Sequence, residues 1–208
     1  MIGAILTAAL SAYLLGNLNG SVCVSALVAG DDVRKHGSGN AGLTNFFRSY
    51  GGWSTLLVIL VDMLKTVVAA FGAGWILNSF GYYREGLVLG VVMVSIGHDF
   101  PALLGFRGGK GILCGFTAAL ILDWRIALVM LAVFVIAFAI TRYVSLGSVL
   151  GAATFAIGFG VVHFGDWVPV AGGVFISLLA IWMHRGNIRR LIAGTESKVH
   201  HIHRDLNK

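Results

Sequence analysis

The chain contains little of what a water-soluble domain needs at its surface. Only 12% of its 208 residues are charged and 57% are hydrophobic, whereas about a quarter of the residues of a soluble domain are charged. Two prolines exclude a collagen-like chain, and two cysteines, both in apolar runs, exclude a disulfide-stabilised scaffold. This composition predicts an all-α integral membrane protein.

Glycine is the residue type in excess, with 29 copies, roughly twice the usual share. Two pairs have the Gly-x-x-x-Gly spacing, Gly16 with Gly20 and Gly147 with Gly151. Because this spacing lets membrane helices approach closely, we expect both pairs at helix–helix contacts.

Apolar runs long enough to cross a bilayer recur along residues 1–208 and predict a single polytopic membrane domain. The fourth run is short and ends at Asp123-Trp124-Arg125, where we expect the chain to turn back. About seven transmembrane helices follow: Ile2–Val28, Trp53–Leu77, Leu87–Leu104, Ile112–Leu122, Ile126–Ile140, Val149–Phe164 and Val168–Met183.

The distribution of cations predicts the orientation of this bundle. With seven spans, twelve of the fifteen lysine and arginine residues lie on one face, which is then cytoplasmic. The N-terminus is predicted outside and the C-terminus in the cytoplasm of a bacterial cell, at its inner membrane. The polar segments 30–52, 105–111, 141–148 and 184–208 all fall on the cytoplasmic face, so we expect the active site there. No pattern indicates nucleic-acid binding.

The first polar segment is rich in glycine and neutral hydrogen-bond donors. Gly37, Gly39 and Gly42 match G-x-G-x-x-G, but an apolar run precedes them where a dinucleotide fold needs a strand. Glycine-rich backbone still forms nests that bind phosphate oxygens. The candidate phosphate ligands of this segment are Gly37, Ser38, Gly39, Asn40, Thr44, Asn45 and Arg48.

The second polar segment carries Gly108, Gly109 and Lys110 directly before a predicted helix. The spacing is not that of a P-loop, since Leu104 stands where its first glycine would be. A helix N-terminus beside an ammonium nevertheless suits a phosphate. An ordinary pair of loop glycines, with a lysine that reaches the membrane surface, is equally compatible with the sequence.

The last polar segment places His184 and Asn187 on one helical face. Asn187 can orient His184 or donate to a developing oxyanion. Arg190 and the residues after it are interpreted as facing lipid headgroups. His200 and Asp205 form a His-x4-Asp pattern that chance supplies at this composition, and we assign it no role.

Asp62 and Lys65 are charged residues inside the second predicted span. Intramembrane charges are costly and are often functional, but an i, i+3 pair that faces the bundle interior can be structural. The sequence leaves both interpretations open.

Three strings in this order resemble the bacterial acyl-phosphate:glycerol-3-phosphate acyltransferases, the PlsY family. They are Gly-Ser-Gly-Asn-x-Gly-x-Thr-Asn from Gly37, Gly-Gly-Lys-Gly from Gly108, and His-Arg-x-Asn-Ile-x-Arg-Leu-x-x-Gly-x-Glu from His184. Leu43, Gly186 and residues 112–114 depart from the usual family pattern.

The resemblance implies transfer of a long-chain acyl group from acyl phosphate to the sn-1 hydroxyl of glycerol 3-phosphate. The products would be lysophosphatidic acid and inorganic phosphate, in the first step of phospholipid synthesis. It further implies a catalytic centre with Ser38, His184 and Asn187, and phosphate binding by Arg48 and by Gly108 to Lys110. By the same resemblance Ser148 contributes to the glycerol phosphate site and Glu196 is mainly structural.

Two alternatives stay open at this point. The same glycine-rich segments would suit an organic-phosphate transporter, although no inverted repeat is evident. In the acyltransferase, either His184 or a substrate phosphate oxygen can take the proton of the attacking hydroxyl. We expect neither a metal nor an organic cofactor, because no set of metal-type ligands is clustered in the sequence. The expected partners are acyl phosphate, glycerol 3-phosphate and the phospholipid bilayer.

Overall fold

The computed structural model describes residues 1–198 and shows them as helices joined by short loops. Their outer surfaces carry exposed leucine, isoleucine, valine, tryptophan and phenylalanine side chains. Such a surface suits lipid rather than water and confirms the all-α integral membrane fold. The helices are α1 (Ile2–Gly16), α2 (Gly20–Ala29), α3 (Leu43–Ser49), α4 (Ser54–Asn78), α5 (Tyr83–Asp99), α6 (Ile112–Thr141), α7 (Val144–Val162), α8 (Trp167–Met183) and α9 (Arg185–Ile192).

The first predicted span is broken into α1 and α2, which meet at a bend of 41°. The first helix ends at Gly16, and Asn19 caps the second, because its side-chain oxygen accepts a hydrogen bond from the Val22 amide at 3.1 Å. The Asn19 amide group also donates to the Ala41 carbonyl at 2.9 Å. A polar interruption within the apolar run thus becomes a joint that reaches the first glycine-rich segment.

Asp62 and Lys65 close this joint from the side of α4. The Lys65 ammonium lies 2.7 Å from the Asp62 carboxylate and 2.8 Å from the Leu18 carbonyl oxygen, which the helix break leaves free. The Asp62 carboxylate accepts the Gly20 amide at 3.0 Å. The structure therefore gives this buried pair the structural role that the sequence left open.

The long helix α6 is a hairpin rather than a rod. A straight helix of its 30 residues would span about 45 Å. Yet Lys110, just before it, contacts Asn187, and Ser145, near the start of α7, contacts Glu196, which is hydrogen-bonded to Asn187. The reversal occurs at Asp123, whose backbone is extended (φ −159°, ψ 99°) and whose carboxylate caps the Arg125 amide at 3.0 Å. The turn expected from the sequence is therefore present.

By length and composition, the described residues contain four helices able to cross a membrane, or up to six if each bent pair is one span. The count of seven and the orientation stay predictions. Two predicted spans have wrong boundaries. The third covers Tyr83–Asp99 rather than Leu87–Leu104. The sixth begins at Val144 rather than Val149, so most of segment 141–148 is helical. That segment has no proline, and Gly147 lies inside the helix where the Phe134 ring packs against it.

The glycine pairs divide between two roles. A Cβ atom at Gly16 would lie 2.5 Å from the Val94 carbonyl oxygen, and one at Gly20 would lie 2.7 Å from the Val58 carbonyl oxygen. Gly147 is equally tight, since its Cβ would lie 2.9 Å from the Phe134 ring. These three are close-packing positions as expected. Gly151 is not, because its nearest neighbour would be 3.7 Å away.

Candidate active site

The polar segments meet at one cavity of about 540 Å³ that runs from a polar mouth into the apolar interior of the bundle. Ten of the residues predicted for the site line it: Ser38, Asn40, Thr44, Asn45, Arg48, Lys110, Ser148, His184, Asn187 and Glu196. The remaining predicted positions, Gly37, Gly39, Gly108 and Gly109, shape the loops around the cavity instead of lining it.

Asn45 holds the first glycine-rich loop in shape. Its side-chain oxygen accepts the Ser38 amide at 2.9 Å, and its amide group lies 3.0 Å from the carbonyl oxygens of Val33, His36 and Asn40. The chain can wrap around this side chain because Gly37 and Gly39 adopt the left-handed conformation, with φ of 56° and 71°. The contacts of Asn45 are thus directed at the loop itself.

The second glycine-rich loop packs against the end of α5. A Cβ atom at Gly108 would lie 2.7 Å from the Asp99 carbonyl oxygen, and one at Gly109 would overlap the His98 ring. Both glycines are buried, so their close packing against the end of α5 is a feature that the sequence did not predict. Gly111, with φ of 66°, begins α6 and lines the cavity. The two loops touch where the Asn40 amide group lies 3.4 Å from the Gly108 carbonyl oxygen.

Lys110 connects the second loop to the C-terminal segment through a chain of hydrogen bonds. Its ammonium donates to the side-chain oxygen of Asn187, and the Asn187 amide group donates to Glu196 at 2.7 Å. Ser145 of α7 and Arg190 of α9 each donate to the same carboxylate at 2.7 Å. Glu196 therefore joins α7 to α9 at the mouth, which agrees with a structural role beside the site.

His184 lies at the break between α8 and α9, which are bent by 56°. Its Nδ1 lies 2.8 Å from the Ala180 carbonyl oxygen, and a carbonyl only accepts, so Nδ1 carries a proton. In the neutral ring, Nε2 then keeps its lone pair. Ala180 rather than Asn187 orients the imidazole, because the bend turns the Asn187 side chain towards Lys110 and Glu196.

Burial and charge set the protonation of these groups. Burial lowers the pKa of His184 to about 4, which leaves the imidazole neutral near pH 7. Burial, together with the nearby Arg190 and Arg48 guanidinium groups, lowers the pKa of Lys110. Burial raises the pKa of Glu196, but hydrogen bonds from Asn187, Ser145 and Arg190 outweigh it and leave that pKa below its usual range.

Sequence reasoning missed three residues that line the mouth: Ser145, Arg190 and Ser197. Arg190 was interpreted as facing headgroups, but the bend at His184 brings it to the Glu196 carboxylate. No motif in the sequence singles out Ser145, and only its contact with Glu196 shows its place. The predicted tail pattern at His200 and Asp205 lies outside the described residues.

The arrangement suits a molecule that is anionic at one end and apolar at the other. Arg48 and Lys110 supply cations at the mouth, Ser38 and Ser148 supply hydroxyl groups, and His184 supplies a proton acceptor. The interior is lined mainly by apolar side chains, with the buried Asp62, His98 and Ser177 as polar exceptions. Fold and cavity together define the class: a membrane-embedded protein whose cavity, cationic at the mouth and mainly apolar inside, suits phosphorylated, lipid-like molecules.

Comparison with known proteins gives the family within this class. The family model for glycerol-3-phosphate acyltransferase matches residues 6–194, and the chain belongs to that family. The glycerol-3-phosphate acyltransferase of Clostridioides difficile (strain 630) is 41% identical over 197 residues, which cover 92% of this chain and 93% of that protein. Glycerol-3-phosphate acyltransferase 1 of Deinococcus radiodurans is 39% identical over 194 residues, with 92% and 96% covered.

Solved structures agree with this assignment. The crystal structure of PlsY (YgiH), an integral membrane glycerol 3-phosphate acyltransferase, in its glycerol 3-phosphate form superposes with a TM-score of 0.83 at 32% sequence identity, covering 94% of this chain and 96% of that one. Its lysophosphatidic acid form gives a TM-score of 0.80 at 31% identity, covering 94% and 95%.

Proposed function

We propose that this protein transfers a long-chain acyl group from acyl phosphate to the sn-1 hydroxyl of glycerol 3-phosphate. The products are 1-acyl-sn-glycerol 3-phosphate and inorganic phosphate. The acyltransferase names of the relatives and the glycerol 3-phosphate and lysophosphatidic acid forms of PlsY support the acceptor and the product. The acyl phosphate donor follows from the motif resemblance and from the chemistry of the site.

One observation carries the donor assignment: two cationic elements face one cavity from different loops. Arg48 ends the helix after the first glycine-rich loop, and Lys110 stands in the second. Two phosphorylated substrates need two anion sites, and each cation can serve one of them. A donor without phosphate would use only one of these two cations.

The residues support a direct transfer. The sn-1 oxygen attacks the acyl carbonyl carbon, the carbon–oxygen bond to phosphate breaks, and phosphate leaves with the bonding electron pair. His184 Nε2 or a substrate phosphate oxygen receives the hydroxyl proton. Since an acyl phosphate is already activated, positioning and charge stabilisation suffice. Cys114 is fully buried and does not line the cavity, which argues against an acyl-cysteine intermediate.

We further propose that the mouth faces the cytoplasm at the inner membrane of a bacterial cell, with the N-terminus outside. The excess of cations beside the mouth supports this orientation. Single cysteines at Ser38 and His184, probed with an impermeant thiol reagent from outside intact cells, should stay unlabelled. Labelling of one but not the other would contradict a shared mouth.

The reaction is tested with detergent-purified protein, acyl phosphate and glycerol 3-phosphate. We expect phosphate release that depends on glycerol 3-phosphate and equals ester formation. Release without the acceptor, or a covalent acyl group trapped on Ser38 in a single turnover, would overturn direct transfer. Exchange of intact glycerol phosphate across liposomes without ester formation would instead indicate a transporter.

A further inference from the structure

Gly151 is the member of its glycine pair where the neighbouring helix leaves room for a side chain. A Cβ atom there would meet nothing closer than the Met130 carbonyl oxygen at 3.7 Å, an ordinary van der Waals contact. At Gly147, one turn earlier, the same atom would press on the Phe134 ring at 2.9 Å. Gly151 lines the cavity, so its missing side chain leaves open space there rather than a helix contact.

One face of α7 forms a wall of that cavity, and this wall changes from polar to apolar along the helix. Ser145, Ser148, Gly151 and Phe155 follow each other at helical spacing, and all four line it. The first contacts Glu196 at the mouth, and the last lies in the apolar core. At 1.5 Å per residue, this wall is about 15 Å long from Ser145 to Phe155. The cavity therefore passes from polar to apolar along its length.

Three buried side chains bound the inner end. Phe155, Met130 and Ile176 come from α7, α6 and α8, belong to one core cluster, and line the cavity. Phe155 is braced by Phe159, with ring centroids 4.9 Å apart. An apolar occupant that enters from the mouth meets Gly151 before it reaches this end.

We propose that the acyl chain of the substrate lies along this wall and that Gly151 sets the length of chain the enzyme accepts. This inference rests on the proposed function and names the determinant of its donor specificity. The reaction takes place among the polar groups of the mouth, so an acyl chain attached there continues into the apolar part of the same cavity. A side chain at position 151 would narrow the cavity about halfway to Phe155.

The test compares Gly151→Leu with Gly160→Leu in the full-length protein. Gly160 lies on the same helix, has nothing within 4 Å of its Cβ position and does not line the cavity, so it is a matched control. Turnover is measured with octanoyl, lauroyl, palmitoyl and stearoyl phosphate. Each methylene kept out of the apolar cavity weakens binding by roughly fourfold.

For Gly151→Leu we expect at least a tenfold loss of kcat/KM with palmitoyl and stearoyl phosphate, retained activity with octanoyl phosphate, and an unchanged KM for glycerol 3-phosphate. Gly160→Leu should keep the wild-type profile. An unchanged chain-length profile in Gly151→Leu, or the same shift in both variants, would overturn the proposal.

Binding of lysophosphatidic acids of the same chain lengths separates this proposal from the choice of donor. If the wild-type protein uses no acyl phosphate, the proposed function fails. Gly151→Leu would then still be expected to discriminate against long-chain lysophosphatidic acids. Equal binding of all lengths by this variant and the wild type would refute the role of Gly151.

Discussion

Two lysines belong to polar clusters that line the same cavity, and the hydrogen-bond partners of the two ammonium groups differ. Lys65 is 2% exposed and its ammonium lies near four acceptors: Asp62, the Gly16 and Leu18 carbonyls, and His98. The Lys110 ammonium has one hydrogen-bond acceptor among residues 1–198, the Asn187 side chain. An ammonium has three protons to donate, so Lys65 is saturated and Lys110 is not.

The carboxylates of the two clusters show the same contrast. Asp62 also lines the cavity, but its carboxylate is buried against the Lys65 ammonium and the Gly20 amide and holds α4 to the joint between α1 and α2. Glu196 lines the mouth and holds neighbours that themselves line the cavity. Charge within the bundle is therefore not enough to indicate chemistry. A group with unused hydrogen-bonding capacity at the cavity is the better indicator of substrate binding.

The largest change in stability is expected from a substitution in the hydrogen-bond-saturated cluster around Lys65. Lys65→Met removes the cation from a buried pair and leaves the Asp62 carboxylate uncompensated, which typically costs about 3–5 kcal/mol. We expect the variant to be destabilised and to melt well below the wild type in detergent, measured by thermal unfolding.

The double variant Asp62→Leu/Lys65→Met provides the control, because it removes both charges together. It should recover much of the lost melting temperature. If the Lys65→Met protein kept wild-type stability but lost turnover, Lys65 would take part in substrate binding or catalysis. It would then not differ from Lys110 in role.

The next largest effect is on the unsaturated cluster. Lys110→Ala removes an anion-binding cation at the mouth and should lower kcat/KM by about a hundredfold or more. Expression and melting temperature should change little. Lys35→Ala is the matched control, since Lys35 is exposed and does not line the cavity. Equal loss in both variants would show a general effect of charge.

The parts of the site that sequence could predict are those carried by local patterns. The left-handed glycines at Gly37 and Gly39 and the turn at Asp123 follow from residue types next to one another. Arg190 was misassigned because its position depends on the bend at His184, and no glycine or proline at residues 183–185 marks that bend.

Long-range packing accounts for the remaining differences. Gly108 and Gly109 are buried because the end of α5, at His98 and Asp99, packs directly against them. The sequence gives no sign that these segments meet. Gly147 and Gly151 belong to one Gly-x-x-x-Gly pair, yet only at Gly147 is the neighbouring helix too close for a side chain. Periodicity identifies a face of a helix but not what lies opposite to it.

A smaller effect is expected from loosening the first glycine-rich loop. Asn45→Ala leaves the Ser38 amide and three carbonyl groups without their partner, at a cost of about 1–3 kcal/mol. Because Ser38 loses its support, kcat should fall about tenfold. Asn78→Ala, at the exposed end of α4, should be neutral in both stability and turnover assays. Unchanged kinetics in Asn45→Ala would mean that the loop holds its shape without this side chain.

The smallest predicted effect separates the charge of Glu196 from its hydrogen bonds. Its pKa lies below the ordinary 4.5, so the carboxylate stabilises the fold above about pH 4.5, and this contribution is lost as the pH falls through the lowered value. Glu196→Gln keeps the size of the side chain but cannot ionise. We therefore expect its melting temperature to lie a few degrees below that of the wild type near pH 7, and the gap to narrow as the buffer is acidified.

Glu85→Gln, at the start of α5 and without an ion pair among residues 1–198, should show no such narrowing. If the difference in melting temperature between wild type and Glu196→Gln were the same at every pH, Ser145 and Asn187 would hold the carboxyl group regardless of its charge. The cluster at the mouth would then resemble the saturated pair around Lys65 in its structural role.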